Sequence, residues 1–89
     1  MMKTNLCVAC ATDRETLEFL KLLDQIGYRF PNGERLPVED LPRRDSRLPW
    51  ALDTAEKTAA FTNPATVGYL CHLRDLELVP FARLDRQAL

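Results

Sequence analysis

Apolar and small residues dominate both faces of the first extended stretch. In Asn5–Ala11, Leu6, Val8 and Cys10 fall on one side of a strand, and Cys7, Ala9 and Ala11 on the other. This pattern predicts a central strand covered on at least one side. The period then changes. Thr12-Asp13-Arg14-Glu15 has the form of a capping box. In that motif the Thr12 hydroxyl accepts the Glu15 amide proton and the Glu15 carboxylate reaches back to the Thr12 amide. Leu17, Leu20, Leu23 and Ile26, flanked by Phe19 and Leu22, form an apolar stripe at helical spacing, with Arg14, Glu18, Lys21 and Asp24 outside. The helix is expected to end at about Ile26, because Gly27 suits the left-handed residue that closes a helix.

Tyr28-Arg29-Phe30 reads as a short strand ending in the turn Pro31-Asn32-Gly33-Glu34. From residue 34 to residue 49 three prolines interrupt any period. The expectation is a long ordered loop pinned by Leu36, Val38 and Leu41, or a hidden strand at Arg35–Val38. Leu48, Trp50 and Leu52 alternate, as do Ala59 and Phe61, on either side of Asp53-Thr54-Ala55-Glu56, which predicts a hairpin. Asn63-Pro64 marks a second helix start, with Val67, Leu70, Cys71 and Arg74 on one face. Gly68 weakens that helix by about 1 kcal/mol relative to Ala. Leu76–Ala82 follows as an edge strand or one that ends near Val79, since Pro80 lacks the ladder donor. The predicted order is β-α-β-β-β-α-β, a single α+β domain over residues 1–89. Its sheet is mainly antiparallel, with one long helix packed across one face.

Composition narrows the setting more than the chemistry. Eighty-nine residues make one domain, and the 46% hydrophobic and 28% charged fractions are ordinary for a globular chain. A net charge of −1 gives no global attraction to nucleic acid or an anionic membrane. Only segment 29–47 carries an excess of positive charge, by a single unit. There is no apolar run of membrane-spanning length and no secretory pattern at the N-terminus. Three cysteines, an odd number, point to free thiols in a reducing, cytoplasmic compartment.

Cys7-Val8-Ala9-Cys10 is a C-x-x-C, and Cys71-His72 would complete a four-ligand zinc set. An odd offset on a strand sends Cys7 and Cys10 to opposite faces, and adjacent helical residues diverge by roughly 100°. Buried structural thiols and no metal are therefore expected. A redox C-x-x-C belongs at a helix N-terminus, whereas Cys10 lies on the strand side of the Thr12 cap. A Cys10–His72 nucleophilic pair has no third group to orient it. Neither a catalytic residue nor a cofactor is assigned. Arg43, Arg44 and Arg47, with Trp50 beyond and Arg29 and Arg35 upstream, have the composition of an interface hot spot. Such a cluster also suits stacking on bases or clamping of phosphates. The interleaved Glu34, Glu39, Asp40 and Asp45 nearly balance it, which argues against nucleic acid and fits a solvated loop or a protein contact.

The run Leu22-Leu23-Asp24-Gln25-Ile26-Gly27-Tyr28-Arg29-Phe30-Pro31-Asn32-Gly33 resembles a pattern in small uncharacterised phage and prophage accessory proteins. In these a strand and a helix end in a Gly-aromatic-x-aromatic run. A Pro-rich loop, a hairpin and a final strand follow. Pro31 and the helix after Asn63 depart from that pattern. The resemblance implies fold and provenance, and it carries over no catalytic residue. It further implies a protein that binds a host or defence protein and blocks it, anti-CRISPR inhibition included.

The resulting expectation is a non-enzymatic binding protein. Its contact surface is the Arg43–Arg47 loop, including Arg44, with Tyr28, Arg29 and Arg35 beside it. The alternative is a structural domain that forms a homodimer through the edge strand near Leu78. A small metal- or thiol-dependent protein comes third.

Overall fold

The computed structural model describes residues 3–38, 49–61 and 63–89. Leu6–Ala9 forms β1, and the chain then enters α1, Asp13–Ile26. The Thr12 side chain caps α1 by accepting from the Glu15 amide at 3.1 Å. Glu15 closes the box one residue earlier than the motif predicts, its carboxylate accepting the Ala11 amide at 3.1 Å. At the other end Gly27 takes φ 110°, and its amide bonds back to Leu23 and Asp24. A left-handed residue there costs glycine little.

The residues of α1 that reach the core are Thr16, Phe19, Leu20 and Leu23. The buried stripe is thus rotated from the predicted one. Ile26 lies at the rim, 38% exposed, and Thr16 takes an inner position because its hydroxyl donates to the Thr12 carbonyl at 3.1 Å. A threonine satisfied by its own helix buries no orphaned donor.

The predicted strand at Tyr28–Phe30 shrinks to a single parallel bridge between Arg29 and Thr58. Arg29 donates to Lys57 and accepts from Ala59, after which the Phe30–Glu34 turn takes over. Pro31 has no amide to extend the ladder. Leu36 is buried, as expected of a loop anchor, and no strand forms at 34–38. Leu41 and Leu48 lie outside the described residues.

Trp50–Asp53 is β2 and Thr58–Phe61 is β3, antiparallel partners joined by the four-residue turn 54–57. Asn63 caps α2, Pro64–Arg74, accepting the Thr66 amide at 2.8 Å. The last strand, β4, spans Leu78–Pro80, and short 3₁₀ turns lead to Leu89. Among the described residues the sheet order is β3-β2-β1-β4. β1 pairs antiparallel with β2 and parallel with β4, so the sheet is mixed, with antiparallel pairing in the majority.

Register sorts the two faces. Val8, Trp50, Leu52 and Ala59 lie together with Phe19, Leu20 and Leu23 of α1 in one apolar cluster. Phe19 meets Trp50 edge-on at 6.4 Å and Phe81 at 5.6 Å. Phe19 and Trp50 are fully buried, and a fully buried large apolar side chain contributes about 1.5–3 kcal/mol. Cys7, Ala9, Ala51 and Leu78 belong to the opposite face. There α2 lies across the sheet, with Ala9, Val67, Gly68, Cys71 and Leu78 around a common groove. One long helix packs on one face, as predicted, and the shorter helix covers the other.

Candidate functional site

The arginine cluster sits where the chain leaves α1. Gly27 turns the backbone so that Arg29 and Arg35 both come back over Asp24. Arg35 grips the carboxylate with Nε on Oδ1 at 3.2 Å and Nη2 on Oδ2 at 3.0 Å. Arg29 adds Nη1 on Oδ1 at 3.2 Å and also donates to the Tyr28 carbonyl at 2.8 Å. The hydrogen bond from Arg35, together with the charge of both guanidiniums, holds Asp24 below the usual carboxylate range. Two cations on one anion leave a local surplus of one positive charge, in a side-chain setting that is still 43% exposed at Arg29 and 65% at Arg35. The paired fork geometry fastens the Tyr28–Arg35 loop to the helix.

Tyr28 does not belong to this surface. It is wholly buried, and its hydroxyl donates to the Leu89 carbonyl at 3.0 Å. Lys57 lies 5.3 Å from the ring centroid and donates to the same oxygen. Tyr28, expected as a partner contact, is instead enclosed in the core and offers no face to another molecule. Arg43, Arg44 and Arg47 lie outside the described residues. The structure therefore brings Arg29 and Arg35 together, through a carboxylate the sequence reading did not connect to them.

Cys7 and Cys10 occupy opposite faces of β1. Cys10 joins the α1 core and is in hydrogen-bond contact with Thr16, whereas Cys7 meets Cys71 of α2. Burial pushes both strand thiols up to about 11. Among the described residues no group of three or more His, Cys, Asp or Glu could hold a metal ion, and no helix is long and apolar enough to cross a membrane. His72 is exposed on α2.

A cleft of about 800 Å³ opens at one end of the sheet, with Lys3, Asn5, Asp53, Glu56 and Arg74 among its lining residues. Its most buried acid is committed to the fold. Asp53 accepts the amides of Ala55 and Glu56 on Oδ1 and that of Lys3 on Oδ2, and these backbone bonds depress its pKa. Among the described residues the cleft lining holds two cations, Lys3 and Arg74, and two anions, Asp53 and Glu56, so the cleft favours neither sign of ligand.

The outer side of α2 differs. Val67 alone among its described residues is buried, while Tyr69 and Leu73, one turn apart, are 64% and 61% exposed. Leu78 on β4 is 41% exposed. The sequence carried this signal in the apolar content of Val67–Leu73, which exceeds what one buried face requires. Comparison with protein-family models, with curated proteins and with solved structures found no significant match.

Proposed function

We propose that the chain is a non-enzymatic binding protein that acts by covering a surface of a partner protein, with the outer face of α2 as its main contact. The exposed Tyr69–Leu73 pair carries this reading. An aromatic and a leucine on one helical stripe, left in water by the fold, match the anchors that dominate protein interfaces. Arg29 and Arg35, already engaged by Asp24, would serve at the rim. The Arg43–Arg47 segment remains in the proposal as a second contact. The resemblance to phage accessory proteins makes a host or defence protein the partner.

The test is affinity capture from a bacterial lysate, with wild type beside a Tyr69→Ala/Leu73→Ala double variant and an Arg43→Ala/Arg44→Ala/Arg47→Ala triple variant. One dominant protein retained by wild type and lost by the double variant supports the α2 surface. Loss of an anchor should cost about 2 kcal/mol or more, roughly 30-fold in Kd. Equal retention by both variants rejects both surfaces.

A second reading rests on β4. Among the described residues it terminates the sheet order, and the exposed Leu78 lies on it, so a second copy could pair along that edge. Light scattering across a concentration series decides this: a dimer mass abolished by Leu78→Lys supports it, and a constant monomer mass removes it.

A further inference from the structure

Sheet parity and helix periodicity place two thiols in the layer between β1 and α2. Cys7 alternates away from Val8 and Cys10, which face α1, and so points to the side that α2 covers. On α2, Cys71 follows the buried Val67 by one turn and shares its inward stripe. Leu78, the register partner of Cys7, lines the same groove as Cys71. These placements set the two thiols as neighbours, and Cys71 adds to the upward push that burial gives the Cys7 thiol. The groove beside them has a volume of about 360 Å³ and is open to solvent, and Cys71 is the half-buried member of the pair.

We propose that Cys7 and Cys71 form an intramolecular disulfide when the protein meets a peroxide, fastening α2 to the central strand. Cys71 reacts first because the groove gives it access. Its thiolate attacks one peroxide oxygen, the O–O bond breaks, and the other oxygen leaves as water after protonation, giving a sulfenic acid. The Cys7 sulfur then attacks the Cys71 sulfur. The S–O bond breaks, the Cys7 proton leaves with the hydroxyl as a second water, and the disulfide remains. Two thiols are oxidised and one peroxide is reduced to two waters. A thiol reductant reverses the step. Cys10, across the sheet under α1 and in contact with Thr16, has no thiol facing it among the described residues and serves as an internal control.

The consequence is mechanical. Among the described residues of α2 Val67 alone is buried, and Arg74 donates to the Thr4 carbonyl at 3.4 Å. A covalent link from its inner face to β1 closes a long loop in the unfolded chain and restrains α2 against the sheet.

The experiment is treatment of the purified, reduced protein with hydrogen peroxide, followed by non-reducing peptide mapping and thermal unfolding. The expected result is one Cys7–Cys71 bridged peptide, loss of two hydrogens from the intact mass, and an upward melting shift on the order of 10 °C that dithiothreitol reverses. Cys10→Ala should keep the shift, and Cys71→Ser should lose it. A map showing Cys71 over-oxidised or cross-linked between molecules with Cys7 free would overturn the proposal. So would three thiols that survive excess peroxide.

Discussion

The Tyr28 hydroxyl donates to the carbonyl oxygen of Leu89 at 3.0 Å, across 61 positions of sequence. Lys57 donates to that same oxygen and lies over the tyrosine ring. The loop after α1, the hairpin turn and the last residue therefore meet at one acceptor. Leu89 is itself buried within the α1-side core. This junction closes the core at the sheet edge where the Arg29–Thr58 bridge stops the ladder.

Tyr28→Phe removes one of the two donors and leaves the packing intact. The expected loss is about 1 kcal/mol, the usual net worth of such a bond. Lys57→Met should cost a similar amount, and the double variant should deviate from additivity because both side chains serve one oxygen. Urea unfolding followed by emission of Trp50, the single tryptophan, reads this directly. An unchanged midpoint for Tyr28→Phe would mean that water replaces the bond without loss.

What the sequence makes legible here is what a few neighbouring residues decide. Thr12 to Glu15 encode a helix start, Gly27 an end, and Asn63-Pro64 another start, each through bonds within about one turn. The alternation of Trp50 and Leu52 likewise fixes a face once a strand is assumed. The rest depends on partners far along the chain. Whether Tyr28–Phe30 becomes a strand depends on how much free edge β3 presents before Pro31 intervenes. Strand parity alone separates Cys7 from Cys10, but which of them meets Cys71 depends on the face that α2 covers. Around the candidate site, the arginines are visible in the sequence. Their pairing with Asp24 is not, because it exists only after Gly27 has turned the chain back.

Both ends of α1 should yield separable losses. Thr12→Ala removes the acceptor for the Glu15 amide, at a cost of about 1 kcal/mol. Gly27→Ala places a Cβ at φ 110°, where no neighbouring atom lies within 4 Å, so its cost is backbone strain alone, again about 1 kcal/mol. The helix separates the two sites, and their effects should add. Urea midpoints of the three variants check this. A neutral Gly27→Ala would show that the turn relaxes out of the left-handed region.

Acid should weaken the fold through two carboxylates with different partners. Asp24 and Asp53 both have pKa values lowered on folding, Asp24 by the Arg35 hydrogen bond first and Asp53 by the backbone amides of Glu56, Lys3 and Ala55. A group whose folded pKa lies below its unfolded one stabilises the fold above the unfolded value, about 3.9 for Asp. That contribution fades as pH falls through the folded value. The urea midpoint of wild type should therefore hold near neutral pH and decline from about pH 4 downward. Asp24→Asn and Asp53→Asn should each lower the midpoint at pH 7 and approach wild type in strong acid, since neither replacement titrates. Salt separates the two. The Asp24 pair is formed with the exposed Arg35 and should weaken in about 1 M NaCl, where the screening length is near 3 Å. Asp53 is held by backbone amides inside the turn, so its contribution should persist in the same salt. Equal salt sensitivity of the two variants would show that Asp53 is stabilised by the field around Lys3 and not by its amide bonds.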